Sequence, residues 1–299
     1  SSVSRSGTGL DQVIVMNQIQ WYPGHMAKAK KEVIEKLSQV DIVYELLDAR
    51  APFSSANPML KDIIGDKPRL VVMNKIDLAD PKTTEIFMAY FASKGIPAVA
   101  VDSLNGSPLK TILAKTKTIL AYLKEKDLRK GLSPRPFRAM VVGIPNVGKS
   151  QFINSLAKKA KAKTGNIPGI TKQQTYLKAG KELELLDNPG ILWPKFEDRI
   201  TGLNLALIGS IKEEIYQAEE VAAYGIKLMS ENYPELLFAR YGIRKDIVNK
   251  DMVSEIGRVR GCLLPGGIID RERAAKLFLN EFRNNRLGRI SVERPDANV

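Results

Sequence analysis

The stretch GIPNVGKS, residues 143–150, carries the strongest structural signal in this 299-residue chain. It completes the pattern G-x-x-x-x-G-K-[ST], in which Gly143 and Gly148 allow backbone amides to wrap a phosphate group at the start of a helix. Lys149 is expected to bridge the β- and γ-phosphates of a nucleotide, and Ser150 to supply a hydroxyl group to Mg²⁺. Because an apolar run precedes the motif and a helical pattern follows it, the stretch predicts a phosphate-binding loop between a strand and a helix.

A second motif, VVMNKIDL at residues 71–78, ends another apolar run. The carboxylate of Asp77 can accept hydrogen bonds from N1–H and from the 2-amino group of guanine, a pair of donors that adenine lacks. Asn74 can contact the opposite edge of the base, and the stem of Lys75 can lie along its plane. NKID alone is a common turn sequence. Together with a phosphate-binding loop it favours a guanine-nucleotide site at the carboxyl ends of the strands.

The segment DNPG, residues 187–190, supplies candidates for the metal ion and for detection of the third phosphate. Asp187 is predicted to hold Mg²⁺ through a water molecule, and the amide of Gly190 to sense the γ-phosphate. Thr171, which lies 21 residues after Ser150, is the best candidate for a switch threonine that contacts Mg²⁺ and contributes to catalysis. A threonine in an ordinary surface loop is the alternative.

The remaining candidates for nucleotide contact lie beside these motifs. Ser103 and Leu104 follow the next apolar run and weakly match a backbone contact to the guanine carbonyl. Val147 and Gln151 belong to the predicted phosphate-binding loop and the first turn of its helix. Asn146, inside the loop, can help to hold a monovalent cation such as K⁺ near the bridging oxygen, where the cation would act like an arginine finger.

The residue after Gly190 is Ile191, at a position where many GTP-hydrolysing proteins have a glutamine that orients the attacking water. An isoleucine cannot hydrogen-bond to water, so either hydrolysis is slow or another group positions the water. His25, the single histidine, is a tentative catalytic candidate because imidazole can orient or deprotonate water. A structural or RNA-contacting histidine near a helix start is the alternative.

The chain alternates short apolar runs with helical stretches, which predicts an α/β fold with a doubly wound, mostly parallel sheet. The apolar runs that are predicted to form buried strands are residues 42–48, 69–74, 97–103, 138–143 and 183–187. The helical stretches between them are residues 27–40, 83–94, 108–130 and 149–159. The base-reading motif precedes the phosphate-binding motif, the reverse of the order in an ordinary small GTPase. A site that is assembled in space can still close if the chain is circularly permuted.

The strand signal stops near Lys195, and the pattern from Leu203 onward is helical. We therefore expect a circularly permuted GTPase domain over residues 16–200 and an all-α domain over residues 201–299. Residues 1–15 are interpreted as an expression remnant that precedes a natural start at Met16.

The net charge of +13 is uneven, because residues 1–200 hold 31 Lys and Arg against 19 Asp and Glu. Such an excess favours a polyanionic partner such as nucleic acid, and a solvated surface that resists aggregation is the alternative. The lone Cys262 excludes an internal disulfide and a multi-cysteine zinc site, which indicates a reducing, cytoplasmic setting. No window resembles a membrane span.

Several basic residues are expected to face outward and to reach phosphates of a nucleic acid. KKAKAK at residues 158–163 and the lysines of residues 110–130 form two basic clusters. In the last predicted helix, Asp270 is a plausible N-cap, and Ala275, Phe278 and Phe282 form an apolar stripe that would pack inward. The basic residues then left for contact with phosphates are Arg271, Arg283, Arg286, Arg289 and, in an earlier loop, Arg50.

The motifs together resemble one family, the circularly permuted GTPases of ribosome assembly, and within it the bacterial ribosome biogenesis GTPase A group. The resemblance covers residues 17–292 and is carried by WYPGHMAKA, DARAPFSSANP, VVMNKIDL, GIPNVGKS, PGITK, DNPGILWPK and GGIIDRERAAKLFLNEFRNNRLGRI. It implies a Mg²⁺-dependent GTPase that acts in late maturation of the large (50S) ribosomal subunit and binds ribosomal RNA with help from its helical domain. It also implies stimulation of hydrolysis by the subunit and by K⁺, and a hydrophobic residue at Ile191. No obligate protein subunit and no membrane are implied, so a monomer is expected.

Three functions follow from these patterns. The first is a GTP hydrolase whose nucleotide state sets its loading on and release from a precursor of the large subunit. The second is an RNA-binding assembly factor in which GTP is mainly a structural ligand, for which the missing glutamine is the support. The third is a GTPase that serves a protein or signalling partner, which the basic charge of residues 1–200 does not favour.

Overall fold

The computed structural model describes residues 23–157, 175–192, 198–244 and 251–295, with side chains from Met26 onward. In the first part of the chain helices and strands alternate. They are α1 (Pro23–Leu37), β1 (Ile42–Asp48), α2 (Leu60–Ile64), β2 (Arg69–Asn74), α3 (Pro81–Ser93), β3 (Ala98–Ala100), α4 (Leu109–Ile119), α5 (Ala121–Arg129), β4 (Phe137–Gly143), α6 (Lys149–Leu156), β5 (Tyr176–Ala179), β6 (Leu183–Leu186) and β7 (Gly190–Ile191).

After β7 the described elements are helical. They are α7 (Arg199–Leu207), a 3₁₀ turn (Glu213–Ile215), α8 (Ala218–Asn232), α9 (Pro234–Tyr241), α10 (Met252–Arg260) and α11 (Arg271–Arg283). Among the described helices, none combines the length and the apolar character that crossing a membrane requires.

Within the described residues, seven strands form one sheet in the order β3-β2-β1-β4-β6-β5, and β7 pairs with β4 beyond the end of β6. All pairings are parallel except β5 with β6. Every residue of β1 is buried, as expected for a strand whose two faces are both covered by helices. The predicted α/β class and mostly parallel sheet are confirmed. The antiparallel β5 and the short β7 were not predicted, because each is only a few residues long.

The register explains how motifs in reversed chain order meet. Asn74, the last residue of β2, is opposite Asp48 of β1, and Gly143, the last residue of β4, is opposite Leu46 of the same strand. The base-reading and phosphate-binding motifs therefore leave the same edge of the sheet with one strand between them. Since neighbouring strands lie about 4.8 Å apart, their starting points are separated by roughly 10 Å, less than the length of one nucleotide.

Helices cover both faces of the sheet. On one face Val33 of α1 and Leu60 of α2 pack with Val43 and Met140. On the other face Tyr44 shares a 2.7 Å hydrogen bond with Thr116 of α4. The predicted single helix over residues 108–130 is wrong. It divides at Leu120, whose side chain is fully buried and whose backbone (φ −100°, ψ 16°) ends α4 and precedes α5.

The C-terminal helices pack around α8 and α11. Asp270 caps α11 by accepting a hydrogen bond from the amide of Arg273 at 3.0 Å, as predicted. The predicted stripe of Ala275, Phe278 and Phe282 is buried. At Gly225 a Cβ atom would lie 2.7 Å from Leu207 and 2.9 Å from Phe278, so this helix crossing requires a glycine.

After α11 the chain returns to the sheet as a tail, residues 287–295. The amide of Ile290 donates to the carbonyl of Leu78 at 3.0 Å, and the amide of Val292 donates to the carbonyl of Arg50 at 2.8 Å. The tail thus joins the C-terminal helices to the loops that follow β1 and β2.

Candidate guanine-nucleotide site

The phosphate-binding loop has the backbone conformation that its sequence predicts. Gly148 has a φ of +97° and Asn146 a φ of +65°, both in the left-handed region. A Cβ atom on Gly148 would lie 2.6 Å from Nδ2 of Asn74, so the base-reading loop packs directly on the phosphate-binding loop. Helix α6 begins at the next residue, and its free amides face the concave side of the turn.

Asn74 joins three segments at the edge of the sheet. Its Nδ2 donates to the carbonyl of Val147 at 3.2 Å, and its Oδ1 accepts from Oγ of Ser103 at 2.7 Å. All three groups are buried, so the contacts are shielded from water. Both polar atoms of Asn74 are therefore engaged by the protein, and Asp77 is the other residue of this motif that is predicted to contact an edge of the base.

Lys75 is the second link between the two motifs. Its backbone is left-handed (φ +64°), and its Nζ donates to the carbonyl of Asn146 at 2.8 Å. The same ammonium lies 3.9 Å from Asp48. Burial lowers the pKa of Lys75, and the carboxylate of Asp48 opposes that shift. The aliphatic stem of Lys75 thus spans the gap between the two loops, where a purine base is expected to lie.

Asp77 is half-buried at the rim of the site. Burial, and after it the negative charge of Asp102, raise the pKa of the Asp77 carboxyl above its ordinary value. Leu104 lies beside it and is exposed, but its amide already donates to Oδ1 of Asp102 at 2.9 Å. Contact between that amide and a guanine carbonyl would therefore compete with the existing hydrogen bond to Asp102.

Lys149 is only 8% exposed, and its ammonium donates to the carbonyl of Ile144 in the same loop. Burial, and after it the positive charge of Lys75, lower the pKa of Lys149 to about 8. Among the described residues no carboxylate pairs with it. A buried cation whose charge is not neutralised is complementary to a phosphate group.

Asp187 and Ser150 fit the donor set that Mg²⁺ prefers. Oδ1 of Asp187 is buried and has no hydrogen-bond partner among the described residues, so it is available to a metal ion or a metal-bound water. Ser150 is exposed in the first turn of α6. Hydroxyl and carboxylate oxygens are hard ligands, and Mg²⁺ is held by few of them when phosphates supply the rest. In the described part of the chain no cluster of His, Cys, Asp or Glu suits a metal held by protein alone.

The residues that are predicted to lie near the γ-phosphate belong to β7. Gly190 is packed so tightly that a Cβ atom would lie 3.1 Å from both Val142 and Val33, which ties this strand to α1. Ile191 pairs with Gly143 and is 46% exposed. A large apolar side chain therefore stands at the rim where a water-orienting amide is absent.

A buried ion pair below the site was not predicted. The Arg50 guanidinium donates to Asp48 through Nε at 3.0 Å and Nη2 at 2.8 Å, and Nη2 also donates to the carbonyl of Ile208 at 3.2 Å. Burial pushes the pKa of Asp48 upward, but the charges and hydrogen bonds of Arg50 and then Lys75 outweigh it and hold the pKa below its ordinary value. The signal was present in the sequence as D-x-R at the end of a strand.

Comparisons with known proteins agree with this geometry. A family described as 50S ribosome-binding GTPase matches residues 138–233, from β4 into α8. The chain is 49% identical over 281 residues to ribosome biogenesis GTPase A of Bacillus licheniformis, which covers 93% of this chain and 99% of that protein. The chain belongs to the ribosome biogenesis GTPase A family. The protein of that name from Thermotoga maritima is 31% identical over 278 residues, covering 93% of this chain and 95% of the relative.

Solved structures of this family share the fold. A GDP-bound structure of TM YlqF matches with a TM-score of 0.64 and 26% identity, covering 88% of this chain and 99% of that one. A crystal structure of GNP-bound YlqF from T. maritima matches with a TM-score of 0.63 and 28% identity, covering 90% and 99%. The circularly permuted P-loop GTPase fold with C-terminal helices, predicted from the order of the motifs, is confirmed.

Two predicted catalytic residues are not placed by the structure. Thr171 lies outside the described residues, as does the basic segment 158–163. The backbone of His25 is in the first turn of α1, but its side chain is outside the described part. Val33 lies eight residues further along this helix, about 12 Å at 1.5 Å per residue, and packs against Gly190.

The expectation that these arginines face a nucleic acid is wrong for Arg50 and Arg283, whose guanidinium groups point into the protein. Arg271 and Arg289 remain partly exposed, and their donors bond to the protein. Arg50 is buried at 3% exposure in its ion pair. Arg283 donates to the carbonyls of Ala206 and Leu207. The others bond to partners near their own helix or on the sheet: Arg271 to Glu219 and Asp251, and Arg289 to the carbonyls of Ile76 and Ala79. Of the five arginines considered, Arg286 alone is exposed without such a contact among the described residues.

Proposed function

We propose that this chain binds GTP and GDP at the edge of the sheet, hydrolyses GTP with Mg²⁺, and acts in late assembly of the large (50S) ribosomal subunit. The observation that supports the proposal most directly is the contact between the two motifs. Asn74 bonds to Val147, and Lys75 bonds to Asn146. A base reader and a phosphate reader that touch each other can serve one nucleotide.

Binding is proposed to proceed through groups that the two loops hold in place. Asp77 accepts from N1–H and the 2-amino group of guanine, and the stem of Lys75 lies on the face of the base. The amides of the loop from Asn146 to Gln151, including those of Val147 and Gly148, receive the phosphates at the start of α6. The Lys149 ammonium exchanges the carbonyl of Ile144 for phosphate oxygens, whose negative charge raises its pKa and stabilises its protonated form.

The metal site is proposed to involve Ser150 and Asp187, with Thr171 as a third group. When bound there, Mg²⁺ neutralises charge on the phosphates and so assists attack on the γ-phosphorus. The orphaned oxygen of Asp187 supports this assignment. The amide of Gly190 is proposed to detect the third phosphate.

Positioning of the attacking water is the step for which this chain lacks the usual glutamine. Ile191 excludes water by its apolar surface but cannot orient it. We propose that His25, a K⁺ ion held near Asn146, or a group from the ribosome completes this step. The expected result is slow hydrolysis by the free protein and faster hydrolysis with K⁺ and with the large subunit.

RNA contact is proposed to involve the exposed lysines of α4 and α5 rather than the C-terminal arginines. Helix α5 has no buried residue. The basic side chains proposed for this surface form no ion pair with a carboxylate among the described residues, so their charge is available to phosphates. They are Lys110, Lys115, Lys124, Lys126, Arg129 and Lys130.

The test measures GTP hydrolysis with and without purified 50S subunits, and co-sedimentation with those subunits in the presence of GTP, GDP or a non-hydrolysable GTP analogue. We expect faster hydrolysis with the subunit and retention with the analogue. An unchanged rate together with no co-sedimentation in any nucleotide state would remove the ribosomal function while leaving nucleotide binding intact.

A charge-reversal triplet tests the proposed RNA surface. Lys124→Glu, Lys126→Glu and Arg129→Glu together should weaken co-sedimentation at least tenfold and flatten its dependence on salt concentration. The matched control reverses the same number of exposed charges on α11 and in the turn that follows it, at Arg273, Lys276 and Arg286. Equal weakening by both triplets would mean that general attraction, and not the surface of α5, causes the binding.

A second candidate function is an RNA-binding assembly factor in which GTP only orders the protein. The exposed Ile191 favours it, because nothing among the described residues replaces the glutamine. Release from the particle separates the two functions. Equal release rates with GTP and with the non-hydrolysable analogue would favour the second.

A further inference from the structure

The tail that follows α11 is hydrogen-bonded to the loop that carries Asp77. Nε of Arg289 donates to the carbonyl of Ala79 at 2.9 Å, and Nη2 of the same guanidinium donates to the carbonyl of Ile76. These two carbonyls stand on either side of Asp77 and Leu78 in the chain. One planar side chain therefore spans the turn that presents the base-reading carboxylate.

The neighbouring tail residues hold the same turn through the backbone. The amide of Ile290 donates to the carbonyl of Leu78 at 3.0 Å. Oγ of Ser291 accepts from the amide of Asp80 at 3.1 Å. Together with Arg289, three consecutive tail residues satisfy four backbone groups between residues 76 and 80.

The tail is itself fixed by the C-terminal helices. Leu287 and Ile290 are buried in the core that contains α8 and α11. The hydroxyl of Tyr233, at the end of α8, donates to Asp80 at 2.9 Å and accepts a hydrogen bond from the amide of Ser291 at 3.2 Å. The helices therefore determine where the tail lies, and the tail determines where the turn lies.

Within the turn itself few contacts restrain Asp77. The amide of Leu78 donates to the carbonyl of Lys75 at 3.0 Å, and the amide of Ala79 donates to the carbonyl of Ile76 at 3.3 Å. A carboxylate that must accept two hydrogen bonds from one base edge needs both its oxygens placed to within a fraction of an ångström. Ordering the turn before the base arrives removes an entropic cost of binding.

We propose that Arg289 is a positioning residue for guanine recognition, which holds the Ile76–Ala79 turn so that Asp77 meets the base edge, and that guanine binding and seating of the tail are thermodynamically coupled. This inference rests on the proposed binding of guanine nucleotides. By reciprocity, a nucleotide that uses Asp77 stabilises the seated tail by the same factor by which the tail strengthens its binding.

The experiment compares GDP with inosine diphosphate, whose base keeps N1–H but lacks the 2-amino group. In Arg289→Met the stem remains and both donors are lost. We expect GDP to bind about tenfold more weakly and inosine diphosphate about threefold more weakly, because only guanine uses both oxygens of Asp77. Turnover at saturating GTP stays unchanged while KM rises. Arg289→Lys, which can reach one carbonyl, gives intermediate values.

Arg286→Met is the matched control, since this exposed arginine lies just before the tail and makes no contact with the turn among the described residues. It should leave both affinities as in the unaltered protein. Amide exchange at Ile290 and Val292 should slow when GDP saturates the unaltered protein, and should respond less in Arg289→Met.

The outcomes separate this inference from the function on which it rests. No GDP binding by the unaltered protein overturns the proposed function. If the unaltered protein binds GDP but Arg289→Met leaves the ratio of the GDP and inosine diphosphate affinities unchanged, only the role of Arg289 is overturned. This holds whether or not both affinities fall. If Arg289→Met does not fold, Arg289→Lys decides, because an unchanged ratio there also overturns it.

Discussion

The two halves of the proposed nucleotide site differ in how far the protein satisfies its own polar groups. In the base-reading half Asn74 is bonded at both ends, and Arg289 and the tail hold the turn around Asp77. In the phosphate-reading half Lys149 is buried without a carboxylate partner among the described residues, and Asp187 has an orphaned oxygen.

This difference assigns different tasks to the two halves. A half that is already bonded changes little when a ligand arrives, so it is suited to recognise the base that GTP and GDP share. Groups that lack a partner of opposite charge or a hydrogen bond gain the most from a ligand that supplies them, so they are suited to respond to the number of phosphates. The predictions below test this contrast.

The largest effect is expected from the phosphate-reading half. Lys149→Ala removes the cation that is proposed to face the β- and γ-phosphates, and intrinsic kcat should fall about 100- to 1000-fold, equivalent to about 3–4 kcal/mol of transition-state stabilisation. Single-turnover hydrolysis of GTP measures it. Lys178→Ala removes an exposed lysine on β5 as a control and should have no effect. Retention of kcat within threefold in Lys149→Ala would contradict the assignment.

The base-reading half should show its effect in specificity. In Asp77→Asn the carboxylate that accepts from guanine becomes an amide, and GDP should bind about 100-fold more weakly, a loss of about 3 kcal/mol. Xanthosine diphosphate, which has a carbonyl in place of the 2-amino group, should bind to Asp77→Asn more tightly than to the unaltered protein, because the new amide can donate to that carbonyl. Asp102→Asn changes the neighbouring carboxylate and should leave the preference for guanine in place. If Asp77→Asn and Asp102→Asn prefer GDP over xanthosine diphosphate to the same extent, the assignment of base recognition to Asp77 is wrong.

The pH dependence of binding distinguishes the halves without a mutation. The pKa of Lys149 is about 8 in the free protein, and bound phosphate raises it, so nucleotide binding takes up a proton above that pH. GDP affinity should therefore fall by up to tenfold per pH unit as the pH rises from about 8. Calorimetric titrations between pH 7 and pH 9.5 measure this slope. Lys149→Arg keeps its charge over this range and should abolish the slope; persistence of the slope would place the proton elsewhere.

The same shift affects the stability of the free protein with a definite sign. The pKa of Lys149 is lower in the folded than in the unfolded chain. The unfolded chain therefore binds more protons between about pH 8 and the ordinary pKa of a lysine side chain. The contribution of this group to the free energy of unfolding therefore increases as the pH rises through that window.

The smallest effect is expected from the network that orders the base-reading half. Ser103→Ala removes the donor to Asn74, and the free energy of unfolding should fall by about 1 kcal/mol, with GDP binding weakened about fivefold. Ser93→Ala removes an exposed hydroxyl that bonds only within α3 and serves as the control. Chemical denaturation and calorimetry measure both. A Ser103→Ala protein that loses neither quantity would mean that the network does not order the site.

Much of the fold could be predicted because the information is local. The apolar runs that became β1, β2 and β4 are short and continuous, which is typical of strands buried on both faces. The long basic stretch of residues 108–130 was predicted as one helix because nothing in its sequence marks the break. The backbone of Leu120 departs from helical geometry while its side chain is buried in the core, and a helical pattern alone does not contain that fact.

The sequence by itself determined the chemistry of this protein: a glycine-rich loop with Lys149, an NKID turn with Asp77, and DNPG are each contiguous, so their functional groups can be recognised wherever the chain carries them. Only the tertiary structure decided which groups support them. Asn74 reaches Val147, 73 residues away; Arg50 reaches Ile208, 158 residues away; Arg289 reaches Ile76, 213 residues away. A guanidinium or amide can bond to any backbone carbonyl, so its partner depends on which distant segment packing brings within hydrogen-bonding distance.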